Sequence, residues 1–284
     1  MAGSMHRRHR RHRLGGFNWP VFILLMLGAL SMLFPFVWMF FSAFKTKADV
    51  YVYPPRWIPS VWTWDNFKKV FEMIPFLRYY ENSIITSVIQ TALQVILSIT
   101  AAYALTRMKF PGSRTFYTFM RSSMFVPMVV TMIPMYLIVS KLGLVDTYAG
   151  IILPQISTAF TTMLLMSFFS SIPQDLIDSA KLDGCGHIRM ITKVVVPNAR
   201  GAVSTATIFC FLGNWKSYTW PLIVTNSTYM RTLPIGLKYL VQESSSEYQV
   251  MMAASLMAIL PVLIVFMFCE KQMVRSITLT GMKS

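Results

Sequence analysis

Charge of either sign is scarce in this sequence: 13% of its 284 residues are Asp, Glu, Lys or Arg, and only 11 of them are acidic. Soluble domains carry about 25% charged residues, so much of this chain is not built to face water. Cysteine is rare as well. The three present, Cys185, Cys210 and Cys269, are too far apart for a disulfide framework or a metal-ligand spacing. Of four histidines only His187 lies outside the first 13 residues. It sits near Asp183, but with no second histidine or nucleophile beside it the pair reads as loop surface rather than as a catalytic or metal site. A Gly-x-x-x-x-Gly-Lys-(Ser/Thr) loop is missing, which excludes cradling nucleotide phosphates in the manner of P-loop ATPases.

What is abundant is apolar. Hydrophobic residues make up 55% of the chain and the mean hydropathy is positive, which assigns it to the membrane class. The net charge of +15 would suit nucleic acid if it were spread over one surface. Instead Arg7, Arg8, Arg10, Arg11 and Arg13 crowd into the N-terminal tail, and most other cations stand at the ends of apolar runs. That distribution suits anionic lipid, not nucleic acid. The tail and following run have the outline of a signal peptide, but the run is too long and lacks a small-x-small cleavage site, so it reads as a retained first span.

Uninterrupted apolar stretches predict an all-α integral membrane protein with six transmembrane helices, at about 19–44, 81–106, 115–140, 149–171, 199–225 and 249–270. Pro35, Pro127, Pro134, Pro154, Pro221 and Pro261 predict kinks or ends within them. The expected organisation is a basic cytoplasmic tail over 1–18, a transmembrane domain over 19–270 and a cytoplasmic tail over 271–284. Lysine and arginine bias puts both termini inside, although the first outer loop is unexpectedly basic. That loop, 45–80, is rich in proline and tryptophan, a composition that suits an ordered cap more than a linker.

Between the fourth and fifth spans runs a polar island, 171–197. Ser171 and Gln174 have capping-box spacing, Pro173 suits a first helical turn, and Gly184 with Gly186 supplies a stop. Leu176, Ile177 and Ala180 share one face, and Ile188, Ile191 and Val195 continue the period until Pro197. Within the second span Asn82, Thr86, Gln90 and Gln94 recur every four residues, a polar stripe that lipid would not accept; it either bonds to other helices or lines a pathway. Gln155, beside Pro154, is a further candidate ligand contact. In the fifth span Lys216 is costly at depth, about 3 kcal/mol, and calls for water, a carboxylate or an anionic ligand unless it snorkels.

The island resembles the signature loop of the membrane subunits of binding-protein-dependent ABC importers. In Asp178-Ser179-Ala180, three residues, Gly184, nine residues, Val194-x-Val196-Pro197, spacing matches the family pattern Glu-Ala-Ala, three, Gly, nine, Ile-x-Leu-Pro throughout, with conservative departures at Asp178, Ser179, Val194 and Val196. Further elements are similar to the carbohydrate-importing branch: Trp64-Asp65-Asn66-Phe67 before the second span, Ala102-Tyr103-Ala104-Leu105-Thr106-Arg107 at its end, Phe211 to Leu222 with Asn214, Trp215, Lys216 and Trp220, Arg231 to Leu237, and Arg275 to Lys283. Lys216 departs from the usual Asn.

The resemblance implies the type I ABC importer permease fold and no catalysis in this chain. It implies a bacterial inner-membrane location, and ATP and Mg held by two cytoplasmic ATPase subunits that couple through the 173–186 helix. A second homologous permease and an extracytoplasmic binding protein would complete the importer. It also implies coupling roles for Asp178, Ser179, Ala180, Asp183, Gly184 and Pro197, with Ala180 and Gly184 at the docking surface and Asp178 as a polar contact. Pathway roles would fall to Asn82, Gln90, Gln94, Gln155, Asn214, Trp215, Lys216 and Trp220. The expected cargo is a sugar; an anionic derivative, of uronate or glycerol-phosphate type, is the alternative. A self-contained secondary transporter would need a buried titratable pair, and apart from Lys216 the spans offer almost no buried acid or base.

Overall fold

The computed structural model describes residues 18–243 and 247–281, with the side chains of Glu243 and 271–281 left aside. The expected basic tail and the last residues of the C-terminal motif lie outside the described residues. Among the described residues the regular structure is entirely helical. The helices are α1 (Trp19–Ala43), α2 (Lys47–Val50), α3 (Asp65–Met73), α4 (Phe76–Arg107), α5 (Ser113–Ser123), α6 (Met128–Lys141), α7 (Tyr148–Ile152), α8 (Ala159–Ser170), α9 (Gln174–Leu182), α10 (His187–Met190), α11 (Val196–Asn198), α12 (Arg200–Trp215), α13 (Thr219–Val224), α14 (Leu233–Glu243) and α15 (Tyr248–Gly281).

Three of these helices, α1, α4 and α15, are long and apolar enough to cross a membrane unaided. Three more spans come from bent pairs: α5 with α6 at 107°, α7 with α8 at 47°, and the 187–198 segment with α12 at 90°. The expected continuous third span is therefore corrected. It breaks at Pro127, whose ring cannot continue the preceding helix and which becomes the N-cap of α6. The expected fifth span also ends early, because α12 stops at Trp215 and Lys216 to Tyr218 turn the chain into the short α13. Pro35 and Pro261 lie inside helices that continue through them. Helix α15 runs on to Gly281, so no helix end marks the expected boundary at 270.

Helix α4 is the hub: α7, α8, α12 and α14 all pack on it. Near its start Phe76 and Tyr79 join a core with Ala43, Val70, Phe211, Trp215 and Val250. Near its end Ala102 and Tyr103 join a second core with Leu165, Phe169, Ile177, Met190 and Val195. A third core, Val139, Ile151, Trp220 and Val224, lies to one side. Between the first two cores α4 buries polar residues instead, and that is where the site forms. Residues 76–83 of α4 are called its rim end below, and 103–107 its loop end.

The 45–66 segment is ordered by hydrogen bonds. Asn66 donates from Nδ2 to the carbonyls of Ala43 and Lys45, both at 2.8 Å, which ties the start of α3 to the end of α1. Asp49 takes Ser60 Oγ at 2.6 Å and Ser60 N–H at 2.9 Å, with Arg56 at 3.4 Å. The Ser60 hydroxyl bond holds the Asp49 carboxyl below its ordinary pKa despite burial. Lys45 is buried against the Trp38 ring, 4.1 Å from its centroid, and donates to Arg56 O at 2.6 Å; burial lowers its pKa. Other cations of this segment are also paired, Lys69 with Glu247 at 3.3 Å and Arg78 with Glu81 at 3.7 Å.

Candidate functional site

The stripe on α4 folds inward as its spacing requires. Asn82, Thr86, Gln90 and Gln94 are all at most 7% exposed. Asn82 is bonded through both of its amide atoms: its Nδ2 donates to Tyr229 O at 2.7 Å and Arg231 O at 2.9 Å, and its Oδ1 accepts from the Tyr148 hydroxyl at 2.7 Å. Ser83 Oγ, one residue on, accepts from Leu233 N–H at 2.7 Å. These bonds fasten the rim end of α4 to the 229–233 segment, so Asn82 acts as a fastener with both of its donors taken and one acceptor position left.

Deeper, the amides meet one another. Gln90 Nε2 lies 3.4 Å from Gln155 Oε1, and Gln94 Nε2 donates to Gln155 O at 2.7 Å. Asn214 Nδ2, from the end of α12, donates to Gln94 Oε1 at 2.9 Å and to Thr91 Oγ1 at 3.0 Å. Helix α4, the 3-10 turn Leu153–Gln155 that follows α7, and α12 therefore converge on one seam of neutral amides and hydroxyls.

Two cavities meet at Asn214. On the rim side, Ser83, Thr86, Gln90, Gln155, Ser217 and Thr232 close the space to about 10 Å³, and the buried Thr232 hydroxyl has no partner among the described residues. On the other side, Gln94, Thr158, Thr161, Phe160, Phe209 and Cys210 border a groove of about 290 Å³. Neither lining contains an Asp, Glu, Lys, Arg or His. Such a lining can bond hydroxyls as donor or acceptor and offers no group for proton-coupled chemistry. No cluster of His, Cys, Asp and Glu suited to a metal occurs among the described residues.

The remaining pathway candidates are spread out. Trp215 is buried in the first core and donates to Ala258 O at 3.1 Å, while Trp220 donates to Gly150 O and Ile151 O, both at 3.2 Å. Both indoles hold helices together, although Trp220 also borders the small cavity. Lys216 is the exposed C-cap of α12, at the break between α12 and α13 and not at mid-helix, so it is not buried among the apolar side chains of this chain.

The polar island forms α9, α10 and α11 on the far side of the second core. Helix α9 ends in a Schellman motif: Gly184 has φ +76°, its N–H bonds to Lys181 O, and Cys185 N–H bonds to Ala180 O, both at 3.0 Å. Asp183 is the C-cap. The expected capping box does not form. Pro173 becomes the N-cap, Ser171 Oγ turns back to Phe168 O, and Gln174 is drawn to Arg107 and Asp178. Ser179 bonds to Asp175 O at 2.6 Å. Pro197 sits in α11, directly after a π-turn over Ile191–Val195 that opens the helix where the proline N–H is missing.

Which side of the island faces outward also differs from the periodic reading. Ala180 and Ile177 point into the chain's own core, whereas Leu176, Leu182 and Ile188 stand exposed at 41%, 89% and 80%. Asp178 is exposed and accepts from Lys181 at 3.1 Å and Gln174 at 3.0 Å; the Lys181 hydrogen bond, then that of Gln174, holds its carboxyl below the ordinary value. The period places Leu176 with Ile177 and Ala180, and Ile188 with Ile191 and Val195, and does not take in Leu182, so sequence reasoning missed this outward set.

Residues 94–278 match the family of binding-protein-dependent transport system inner membrane components. The chain belongs to that family. The match takes in Gln94, the whole island, α12 and most of α15, and it begins within α4. The sulfoquinovosyl glycerol transport system permease protein of Agrobacterium fabrum is 32% identical over 264 residues, 92% of this chain and 93% of that protein. The arabinooligosaccharides transport system permease protein of Bacillus subtilis is 31% identical over 226 residues, 79% of this chain and 80% of that one. A bacterial ABC transporter involved in the import of the acidic polysaccharide alginate superposes with a TM-score of 0.78 at 26% identity, covering 89% of this chain and 95% of its own. The chain is thus a multi-pass permease component of an ABC importer rather than an enzyme, and membership of this family argues against a self-contained secondary transporter.

Proposed function

We propose that this permease forms half of the path by which a sugar or sugar derivative crosses the membrane, and that ATP drives it through the 173–186 segment. The observation that carries this reading is the convergence of Gln90, Gln94, Gln155 and Asn214 from three elements on a seam without a single ionisable group. Amides and hydroxyls exchange hydrogen bonds with sugar hydroxyls at little net cost, which suits a site that must bind and then release. A second, homologous permease covers the open groove. A binding protein delivers cargo at the rim, where this chain's own side chains leave a void of only about 10 Å³.

Two ATPase subunits hold ATP and Mg and dock on the island, one on each permease. Their contact with this chain is Leu176, Leu182 and Ile188, with Asp178 at its edge, while Gly184 shapes the turn. Both termini and the island lie in the cytoplasm. Nucleotide-driven approach of the ATPases moves the island and exchanges one state of the rim for another, which requires that the ATPase bind the two states with different affinity.

A cargo with a carboxylate or phosphate is the second reading, favoured by the exposed Lys216 two residues from Asn214 and by relatives named for sulfoquinovosyl glycerol and alginate. Uptake of labelled neutral oligosaccharides, uronate oligosaccharides and glycerol phosphodiesters into cells that depend on this permease separates the two. Asn214→Ala is expected to cut uptake about tenfold, the loss of one good hydrogen bond at a transport site. Lys216→Gln is expected to spare neutral cargo and to depress anionic cargo. Undiminished uptake in both Asn214→Ala and Gln94→Ala would remove the seam from the path.

A further inference from the structure

Helix α4 differs from every other span in its sequence. Its 32 residues contain neither proline nor glycine. Helices α1 and α15 each carry an internal proline, and the other three spans are broken by 47° to 107°. An unbroken α-helix of this length extends about 48 Å and has no built-in site at which to bend.

The first residues of α9 and of α10 are both bonded to the loop end of α4. Arg107, the last residue of α4, donates from Nη1 to Gln174 Oε1 at 2.8 Å and from Nη2 to Ile172 O at 2.7 Å and to Phe169 O. Phe169 lies in the last turn of α8, where its carbonyl also accepts from Ile172 N–H at 3.3 Å, and Ile172 follows the C-cap Ser171. One turn back on the same face, the Tyr103 hydroxyl lies 3.1 Å from His187 Nδ1 at the start of α10. Ala102 and Tyr103 pack with Ile177 and Ala180 of α9 between these two attachments.

We infer that α4 transmits island movement to the amide seam as a rigid rod, and that Arg107 is the positioning residue that clamps the rod to the island. A planar guanidinium that bonds α8 and α9 at once makes the island, the end of α8 and α4 one body; a lysine offers a point charge and cannot hold the same fork. Some 13 residues up the rod, Gln94 bonds both Gln155 and Asn214, so a displacement or rotation of α4 must break or re-pair the bonds that close the seam. The partner nitrogen of the fork, Nε, is buried without an acceptor, as expected of a side chain placed for its terminal nitrogens.

This inference rests on the reading that an ATPase docks on the island, and the test separates the two. The chain carries its own reporter, because Cys210 borders the groove beside Asn214. In a Cys185→Ser, Cys269→Ser background, the importer is isolated with the subunits that co-purify, and maleimide labelling of Cys210 is timed with and without MgATP and vanadate. The expected result is a nucleotide-dependent change of about fivefold or more in this background. Arg107→Gln abolishes the change while the ATPase still co-purifies, and Arg107→Lys restores it only in part.

The double variant Tyr103→Phe, Gln174→Ala removes two of the bonds without touching Arg107. It is expected to shrink the change as well, which guards against misfolding of the arginine variant. A full nucleotide response in Arg107→Gln or in the double variant overturns the rod. Failure of any ATPase to co-purify with the wild-type importer overturns the docking reading on which the rod depends.

Discussion

Asp49 shows how one side chain can order a loop that composition alone makes look merely sticky. It is 4% exposed and takes the Ser60 hydroxyl, the Ser60 N–H and Arg56, and its carboxyl is held below 3.8 by the first of these. A carboxyl depressed in the folded state stabilises above its unfolded value, and that contribution drains away as pH falls from about 3.8 through the lower folded value. Ser60→Ala narrows the gap, so acid unfolding followed by tryptophan fluorescence should begin at higher pH. The variant should also lose about 1 kcal/mol at neutral pH. An unchanged acid transition would mean that Arg56 and the backbone suffice. Lys216 illustrates the opposite case, a residue that stands out in sequence because it departs from a pattern, yet finds itself at an exposed helix end.

At the scale of elements, the sequence disclosed periods and stops better than faces. The four-residue recurrence on α4 correctly predicted a buried polar stripe, because a helix cannot place such residues anywhere but on one side. The glycine stop of α9 was equally legible: φ +76° at Gly184 is a conformation that other residues adopt at a cost of about 1–2 kcal/mol. No atom lies within 4 Å of where a Cβ would stand there, so Gly184→Ala is a purely conformational lesion. Hydrogen exchange across Gln174–Leu182 should accelerate in that variant, and equal protection would show that the α9 turn is held from outside. The outward set Leu176, Leu182 and Ile188 was not legible, since which face of α9 and α10 packs inward depends on where Tyr103 and Phe169 arrive from distant helices. The break in α5 and α6 was half legible, with Pro127 marking the place and nothing local giving its 107°.

For the whole molecule, α1 and the groove at Asn214 make two different demands on what surrounds the chain. Trp19 through Phe36 are exposed along the isolated chain, and the helix touches the rest mainly through α15. A face like this is satisfied by lipid or by another apolar helix alike. The groove at Gln94 and Asn214 is less suited to lipid: its amides bond one another, but they border an open polar face of about 290 Å³ that hydrocarbon cannot hydrogen-bond. On the proposed reading, a copy inserted without a second permease would hold this polar face against acyl chains, at a cost set by the bonding capacity that the internal bonds leave over. Pulse-chase in cells lacking the second permease should show this chain turning over several times faster than in the full operon, and an equal half-life would mean that the groove closes on itself. On the proposed reading, the open side of the seam would also serve as a mark of incompleteness: the face that passes cargo in a finished importer would be the one that shortens the life of a lone subunit.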